Sequence, residues 1–459
     1  MRLPAPIAAI ALTCLLAGCA GASAGTARVR ADDRWQLEEV RTLEDLGPAV
    51  AAAPTTARDV YGGRTDANGE AAGFFRVGRL GDAWWLVDPD GHPFLSVGVC
   101  TVTPGGAGEA AGGAEPGGGR AQERAAWAAT TAFLLREAGF TTLGSWSDER
   151  PFRRAGIPIP YAPQWNFMQR YRKERPESYG NACRPGECLP VFDPEFEAFC
   201  DRHARQLEKT AEDPWLLGHF SDNELPFTRH ALETYLDLPP RDPGGRAARE
   251  WWDRRTGGAP RREITWPDRD AFRELLARRY FETVAAAIRR HDPNHLYLGS
   301  RLHGQAVAEP VFRASAAVDV VSVNYYHAWT PDLAQTRDWV AWSGRPYLVS
   351  EWYAQVDEQG TERSGAGFKV AGERDQQLFY QNFTLALLGD PGCVGWHWFK
   401  YSADADGHPY GLVDAAGEPR RGLLDAMRAV NLRAYAISDL LRGPPPRDTP
   451  QADPGPEAR

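Results

Sequence analysis

Pro214-Trp215-Leu216-Leu217-Gly218-His219-Phe220-Ser221-Asp222-Asn223-Glu224 is an apolar run that turns polar at its end. A short run of this kind reads as a strand buried on both faces, and its polar end as a loop that the strand delivers to a surface. Tyr347-Leu348-Val349-Ser350-Glu351 has the same design. Two strands that each finish on a glutamate predict two carboxylates converging on one site.

Outward from these stretches, short apolar runs alternate with helical patterns, which predicts parallel strands joined by helical crossovers. Candidate strands cover Phe94–Val99, Phe140–Gly144, Ile157–Tyr161, Trp215–Phe220, Leu296–Gly299, Val318–Val323, Tyr347–Ser350 and Val394–Trp398, eight in all. Helices are expected over Ala121–Ala138, Asp193–Thr210 with Asp193-Pro194 as cap and first residue, Asp270–Arg290, Gln376–Leu388 and Gly422–Leu440. Phe272, Leu276, Tyr280, Val284 and Ile288 form one stripe along the third of these. Eight repeats predict an α/β chain folded as a (β/α)8 TIM barrel. Phe74–Leu80 and Ala83–Val87, joined by Gly81-Asp82, predict a short N-terminal β-hairpin cap. The catalytic body is placed at 58–442, with an insertion near 225–266 and a disordered tail at 443–459. Pro104–Gly119 is rich in glycine but lacks the ordered spacing of a nucleotide loop, so no cofactor is expected.

The chain has 459 residues, 43% of them hydrophobic and 25% charged, enough for a large core. A formal net charge of -9 argues against a nucleic-acid partner. Residues 1–18 read as an export signal, and Leu16-Ala17-Gly18-Cys19 resembles a lipobox that would lipidate Cys19, followed by a tether over 19–57. The expected location is a bacterial membrane-anchored lipoprotein, periplasmic or at the cell surface, or otherwise a secreted protein; the anchor is the one membrane contact foreseen. Of the seven cysteines, Cys183 and Cys188 flank a turn-like spacer and are candidates for a local disulfide. The ten histidines show neither HxH nor HExxH spacing, so no metal site is expected.

Glu224 and Glu351 occupy inferred carboxyl ends of strands, where barrels carry their sites. Paired carboxylates suit glycoside hydrolysis, one donating a proton to the leaving oxygen while the other attacks. Trp84-Trp85-Leu86-Val87-Asp88-Pro89-Asp90-Gly91-His92-Pro93-Phe94, Asp222-Asn223-Glu224, Ser350-Glu351-Trp352 and Gly395-Trp396-His397-Trp398-Phe399 together resemble the β-agarase-like members of clan GH-A, retaining glycoside hydrolases related to exo-acting agarases. The resemblance runs from about residue 74 to 440. It implies that Glu224 is the acid/base, protonated through partial burial and the neighbouring charge, and that Glu351 is the nucleophile. It also implies that Asn223 grips a sugar 2-hydroxyl and that a tyrosine orients the nucleophile. Tyr326 is assigned that role, with Tyr325 as the alternative; strand alternation points Asn324 the same way as Tyr326.

Aromatic rings stack on sugar faces, and Trp146, Trp165, Trp352 and Trp398 lie beyond inferred strand ends. Arg301, His303 and His327 are candidate substrate contacts, and Asp222 a brace for its loop. Many clan members carry an arginine near the end of the second strand to contact the nucleophile, but this chain reads Gly144-Ser145-Trp146 there. A galactan or agar-like carbohydrate is the expected substrate. A related β-galactosidase or β-glycosidase with another glycan, and a carbohydrate-binding lipoprotein without activity, are the alternatives.

Overall fold

The computed structural model describes residues 25–31, 34–51, 55–104, 118–179, 186–258, 262–357, 365–403, 410–443 and 451–452. The chain is an α/β protein built on parallel strands. One sheet runs in the order Val321–Asn324, Tyr347–Trp352, Cys393–Trp398, Ser96–Val99, Thr142–Leu143. Every pairing in it is parallel. Single parallel bridges continue from Leu143 to Tyr161, from Tyr161 to Leu216 and from Gln164 to Phe220. Gly218–His219 then pairs in parallel with Leu296–Tyr297, and Leu302 bridges to Val323.

The predicted strand at Ile157–Tyr161 is reduced to the bridge at Tyr161, because Pro158 and Pro160 supply no N–H to a ladder. The helix expected from Asp193 begins at Phe196; Asp193 instead accepts bonds from Arg175 and Tyr171. The helix expected over Gly422–Leu440 is two, Arg421–Asn431 and Ala434–Arg442. The long helix is Trp266–His291, and its predicted stripe is buried throughout.

Arg76–Leu80 and Ala83–Val87 pair antiparallel with Leu80 opposite Ala83, as a two-residue turn requires, and Gly81 supplies the positive φ of 58°. This hairpin buries Val77, Trp84 and Leu86 against Leu217, Leu296, Val320, Leu348 and Val394, which lie at the beginnings of parallel strands. It therefore closes the end opposite the strand-terminal carboxylates.

The segment expected as an irregular tether carries structure. Gly25–Ala31 pairs with Arg34–Val40 and with Phe368–Val370. Ala27 and Val29 face inward, a period-two pattern of small residues. Within the insertion, Ala231–Leu236 and Pro243–Thr256 are helices, the second capped by Asp242, which accepts from the N–H groups of Gly244 and Gly245. In the tail, expected to be disordered, Gln451–Ala452 pairs with Arg79 and Gly78. Cys188 is disulfide-bonded; Cys183, like Cys19, the segment expected as an export signal and most of the glycine-rich loop, lies outside the described residues. No described helix is long and apolar enough to cross a membrane.

Candidate active site

Glu351 is the penultimate residue of its strand and sits at a local irregularity. The register with the neighbouring strand shifts after Val323, so that Asn324 faces Glu351 rather than Ser350. Such a shift re-aims the side chains beyond it. The buried carboxylate of Glu351 is held on both oxygens: Oε2 accepts from Arg301 Nη2 at 2.5 Å, and Oε1 accepts from the Tyr326 hydroxyl. Burial first, and then the charge of Glu351, push the Tyr326 phenol well above its ordinary range, so it keeps the proton it donates.

Arg301 is fully buried and serves more than one partner. Its Nη2 also donates to the Ser350 carbonyl at 3.1 Å, while Nη1 donates to Asn223 Oδ1 at 3.0 Å and to Gln164 Oε1 at 3.2 Å. Trp146 lies against the guanidinium at 4.2 Å, a cation–π contact away from water. Beneath it, burial pushes the Cys100 thiol up to about 12, so a neutral thiol faces the Ser350 carbonyl at 3.5 Å.

Glu224 reaches the same network from its own loop. Asn324 Nδ2 donates to Glu224 Oε1 at 2.9 Å and to Asn223 Oδ1 at 3.0 Å, and Asn324 Oδ1 accepts from Ser350 Oγ at 2.9 Å. Hydrogen bonds thus run from Glu224 through Asn324, Asn223 and Arg301 to Glu351. The partial burial expected of Glu224 is not found: it is exposed, on a left-handed residue (φ 51°) that turns it toward solvent. Asp222 braces the loop from below, accepting from the Met168 N–H at 2.9 Å and the Tyr280 hydroxyl at 2.6 Å. Burial pushes its carboxyl up to about 7.

Among the described residues, non-glycine positive φ occurs at Thr101, Trp146, Asn166, Glu224, Arg301 and His327. Each follows the end of a parallel strand or bridge segment on the side that carries Glu351. Left-handed backbone at non-glycine residues costs energy and gathers where side chains must be aimed.

Tyr325 and Tyr326 part company. The Tyr325 hydroxyl accepts from the Asp332 N–H at 2.8 Å, and its ring packs on Trp339 and Phe383, away from Glu351. His303 donates to the Asn324 carbonyl at 3.2 Å and stands edge-on to Tyr326, with exposed His327 beside both. Half-buried Trp165 donates its indole N–H to His219 Nδ1 at 2.9 Å. Trp352 and Trp398 are not at a surface that a sugar could reach. Both are fully buried, Trp352 stacked on Phe383 with centroids 4.3 Å apart and Trp398 bonded to the Tyr410 carbonyl. They sit where strand alternation turns a side chain outward against helices.

Arg301, a candidate substrate contact in the sequence, grips Glu351 here, and Gly144 carries no arginine to do so. Sequence reasoning passed over Ser350 and Gln164; the signal available was their position beside strand ends. His397, in the Gly395–Phe399 motif, carries no role that the sequence alone assigns. Buried beneath Arg301, it donates to or accepts from Ser96 Oγ at 2.9 Å, and burial, with the Arg301 charge, depresses it to about 3, a neutral ring.

Two carboxylates beyond parallel strands, joined through one hydrogen-bond network, thus stand on one side of the molecule. No family model matches the chain. It is similar to beta-agarase B of Vibrio sp. (strain JT0107), 24% identical across 87% of this chain and 52% of the relative. Beta-agarase A of the same strain is 25% identical across 67% of this chain and 36% of that protein. The chain thus spans about half the length, or less, of these curated relatives. Among solved structures, its fold matches BpGH50 with a TM-score of 0.76, at 24% identity, covering 91% of this chain and 95% of the other. It matches an exo-beta-agarase with a TM-score of 0.68, at 20% identity, covering 87% and 71%. The resemblance to β-agarase-like sequences is borne out by these likenesses.

Proposed function

We propose that the chain is a retaining β-glycoside hydrolase of agar or a similar galactan, working on a (β/α)8 barrel. The observation that carries this reading is the doubly held Glu351 carboxylate, joined by hydrogen bonds to Glu224. In support of the barrel, parallel pairings and bridges lead from Ser96–Val99 through each successive strand segment to Cys393–Trp398, which pairs back onto Ser96–Val99.

In the proposed reaction Glu351 attacks the anomeric carbon while protonated Glu224 gives its proton to the departing glycosidic oxygen. The bond to the leaving sugar breaks and a glycosyl ester forms on Glu351. Glu224, now a carboxylate, takes a proton from water, which opens the ester and restores both groups. Arg301 and Tyr326 hold Glu351 by charge-assisted bonds, so that its lone pair is presented in one direction. Asn223 accepts both its protein bonds at Oδ1, which leaves Nδ2 to donate to a substrate hydroxyl. The exposure of Glu224 suits a group that must meet water in the second step. An exported protein, tethered through Cys19, fits a polymeric substrate outside the cell.

Hydrolysis of agaro-oligosaccharides or aryl β-galactosides is expected to vanish in Glu351→Gln and in Glu224→Gln. Azide should partly restore Glu224→Ala as a glycosyl azide product, and NMR should show the first product anomer as β. Full activity in either glutamine variant, or an initial α-anomer, defeats the assignment.

A further inference from the structure

At the opposite end of the molecule, the entry segment meets the closing hairpin through Asp59, Asp88 and His92. Asp59 Oδ1 accepts from the N–H groups of Tyr61, Gly62 and Gly63 at 2.9, 2.8 and 2.9 Å. Asp88 Oδ1 accepts from Asp90 and His92 at 3.0 and 2.9 Å. Backbone donors thus fix each carboxylate by its Oδ1 and leave both Oδ2 atoms free of them; Asp88 Oδ1 also stands 3.8 Å from His92 Nδ1. One oxygen of each carboxylate and a ring nitrogen of His92 lie within 4.8 Å of one another.

The charges of this cluster do not balance. Asp59 Oδ2 takes His92 Nδ1 at 2.7 Å, but Asp88 Oδ2 has no hydrogen-bond partner although Asp88 is fully buried. Ionised carboxylates only accept, so a second one aimed at the same spot needs a positive charge there. Only glycine lets the entry segment approach this closely. A Cβ on Gly63 would lie 1.9 Å from Asp88 Oδ2 and 2.9 Å from His92 Cβ.

We propose that Asp59, Asp88 and His92 bind one divalent transition-metal cation, with zinc the best fit, and that the ion pins the entry segment to the hairpin. Two carboxylate oxygens and an imidazole nitrogen suit zinc at about 2.0–2.2 Å, which asks the donor atoms to stand about 3.3 Å apart in a tetrahedron. To reach that spacing the Asp59–His92 pair opens from 2.7 Å, and Asp88, whose nearer oxygen is 3.8 Å from His92 Nδ1, closes in. The His92 side chain is 19% exposed, which leaves an approach for the ion and for water as fourth ligand. The backbone bonds on both Oδ1 atoms play the orienting part that outer partners play in known sites. Without the ion a proton serves instead: burial, and then Asp59, raise the Asp88 carboxyl to about 8. Binding therefore releases the Asp88 proton, while the His92 ring carries its N–H on Nε2 to free Nδ1, and affinity strengthens with pH. The site is independent of the proposed activity, because it lies at the end away from Glu351.

The test uses the untagged full chain stripped with chelator. Zinc, manganese and calcium are titrated separately at pH 8, with calorimetry for stoichiometry and a thermal midpoint for stability. One equivalent of zinc is expected to bind, and a hundredfold excess over Kd to raise the midpoint by about 3 °C. Asp88→Asn keeps the shape and gives Asp59 a donor, so it should fold and lose both responses. Absence of stoichiometric binding, binding of calcium in preference to zinc, or an unchanged response in Asp88→Asn each overturns the proposal.

Discussion

Arg301→Met is the substitution that most directly separates two roles for this arginine. Methionine keeps the apolar stem but removes the bonds to Glu351 Oε2, the Ser350 carbonyl, Asn223 and Gln164. Removing one partner of a buried ion pair typically costs ~3–5 kcal/mol. Glu351 retains Tyr326 and 9% of its side-chain exposure, so the lower end applies here. If about 3 kcal/mol falls on the attacking step, kcat/KM drops by roughly two orders of magnitude. The assay is steady-state hydrolysis of an agaro-oligosaccharide, with kcat and KM resolved. A positioning role places the loss in kcat. It also predicts that Arg301→Lys recovers part of the rate, since lysine supplies the charge without the fork, and that added guanidinium ion rescues Arg301→Ala. A rise in KM with kcat unchanged would instead mean that Arg301 holds substrate hydroxyls. That result, or kcat/KM close to wild type in Arg301→Met, refutes the reasoning.

Tyr326→Phe deletes a hydrogen bond to a charged group, worth ~1.5–3 kcal/mol, and should lower kcat by roughly 10- to 150-fold with KM little changed. Tyr325→Phe should leave kcat intact and lower only the thermal midpoint, since its hydroxyl serves the Asp332 N–H. Trp352→Ala opens a cavity among Phe379, Tyr380 and Phe383 and is expected to cost ~3–5 kcal/mol of stability, read as a shifted denaturant midpoint. The Asp222 carboxyl, at about 7 when folded, lies above the ~3.9 of an unfolded aspartate, so the folded chain holds the extra proton between those values. Its contribution to stability is therefore full in acid and is lost as pH rises from about 4 toward 7. Asp222→Asn should flatten that part of the profile of thermal midpoint against pH.

What the sequence makes legible follows from how local each signal is. Apolar runs ending on Glu224 and Glu351 place both carboxylates at strand ends, because burial of a parallel strand on both faces leaves a mark in single residues. Alternation likewise ties Asn324 to Tyr326. Pro158 and Pro160 erase a strand that apolar content alone implied, a reminder that a ladder needs N–H donors as well as buried side chains. The hairpin over Gly25–Val40 stayed hidden because its inward face begins with Ala27, too small to stand out from an Ala-rich leader. Trp352 and Trp398 mislead for a related reason: position beyond a strand end says nothing about which face a side chain takes once the strand continues. Both histidine–carboxylate clusters, including His219, Asp292 and His295, also escape a search by spacing, since Asp292 lies 73 residues after His219. In that cluster His219 donates to Asp292 and accepts from Trp165, which leaves it no nitrogen for an ion.

Arg301 shows that a buried carboxylate can draw its cation from an unexpected strand. A buried carboxylate at Glu351 requires a cation within bonding distance, and electrostatics does not specify which strand supplies it. The arginine absent at Gly144 would have come from the second strand; here the cation arrives two residues after Gly299, on a left-handed turn. From that side its fork spans both Glu351 and Asn223, the neighbour of Glu224. One guanidinium thereby fixes the spacing between the two carboxylate-bearing loops, a task that an arginine paired with Glu351 alone does not perform. The cost is a strained backbone at Arg301 and a fully buried charge, tolerable because Trp146, Gln164 and the Ser350 carbonyl surround it. Rigidity of the pair, rather than the identity of any one strand, is what this site is built to keep.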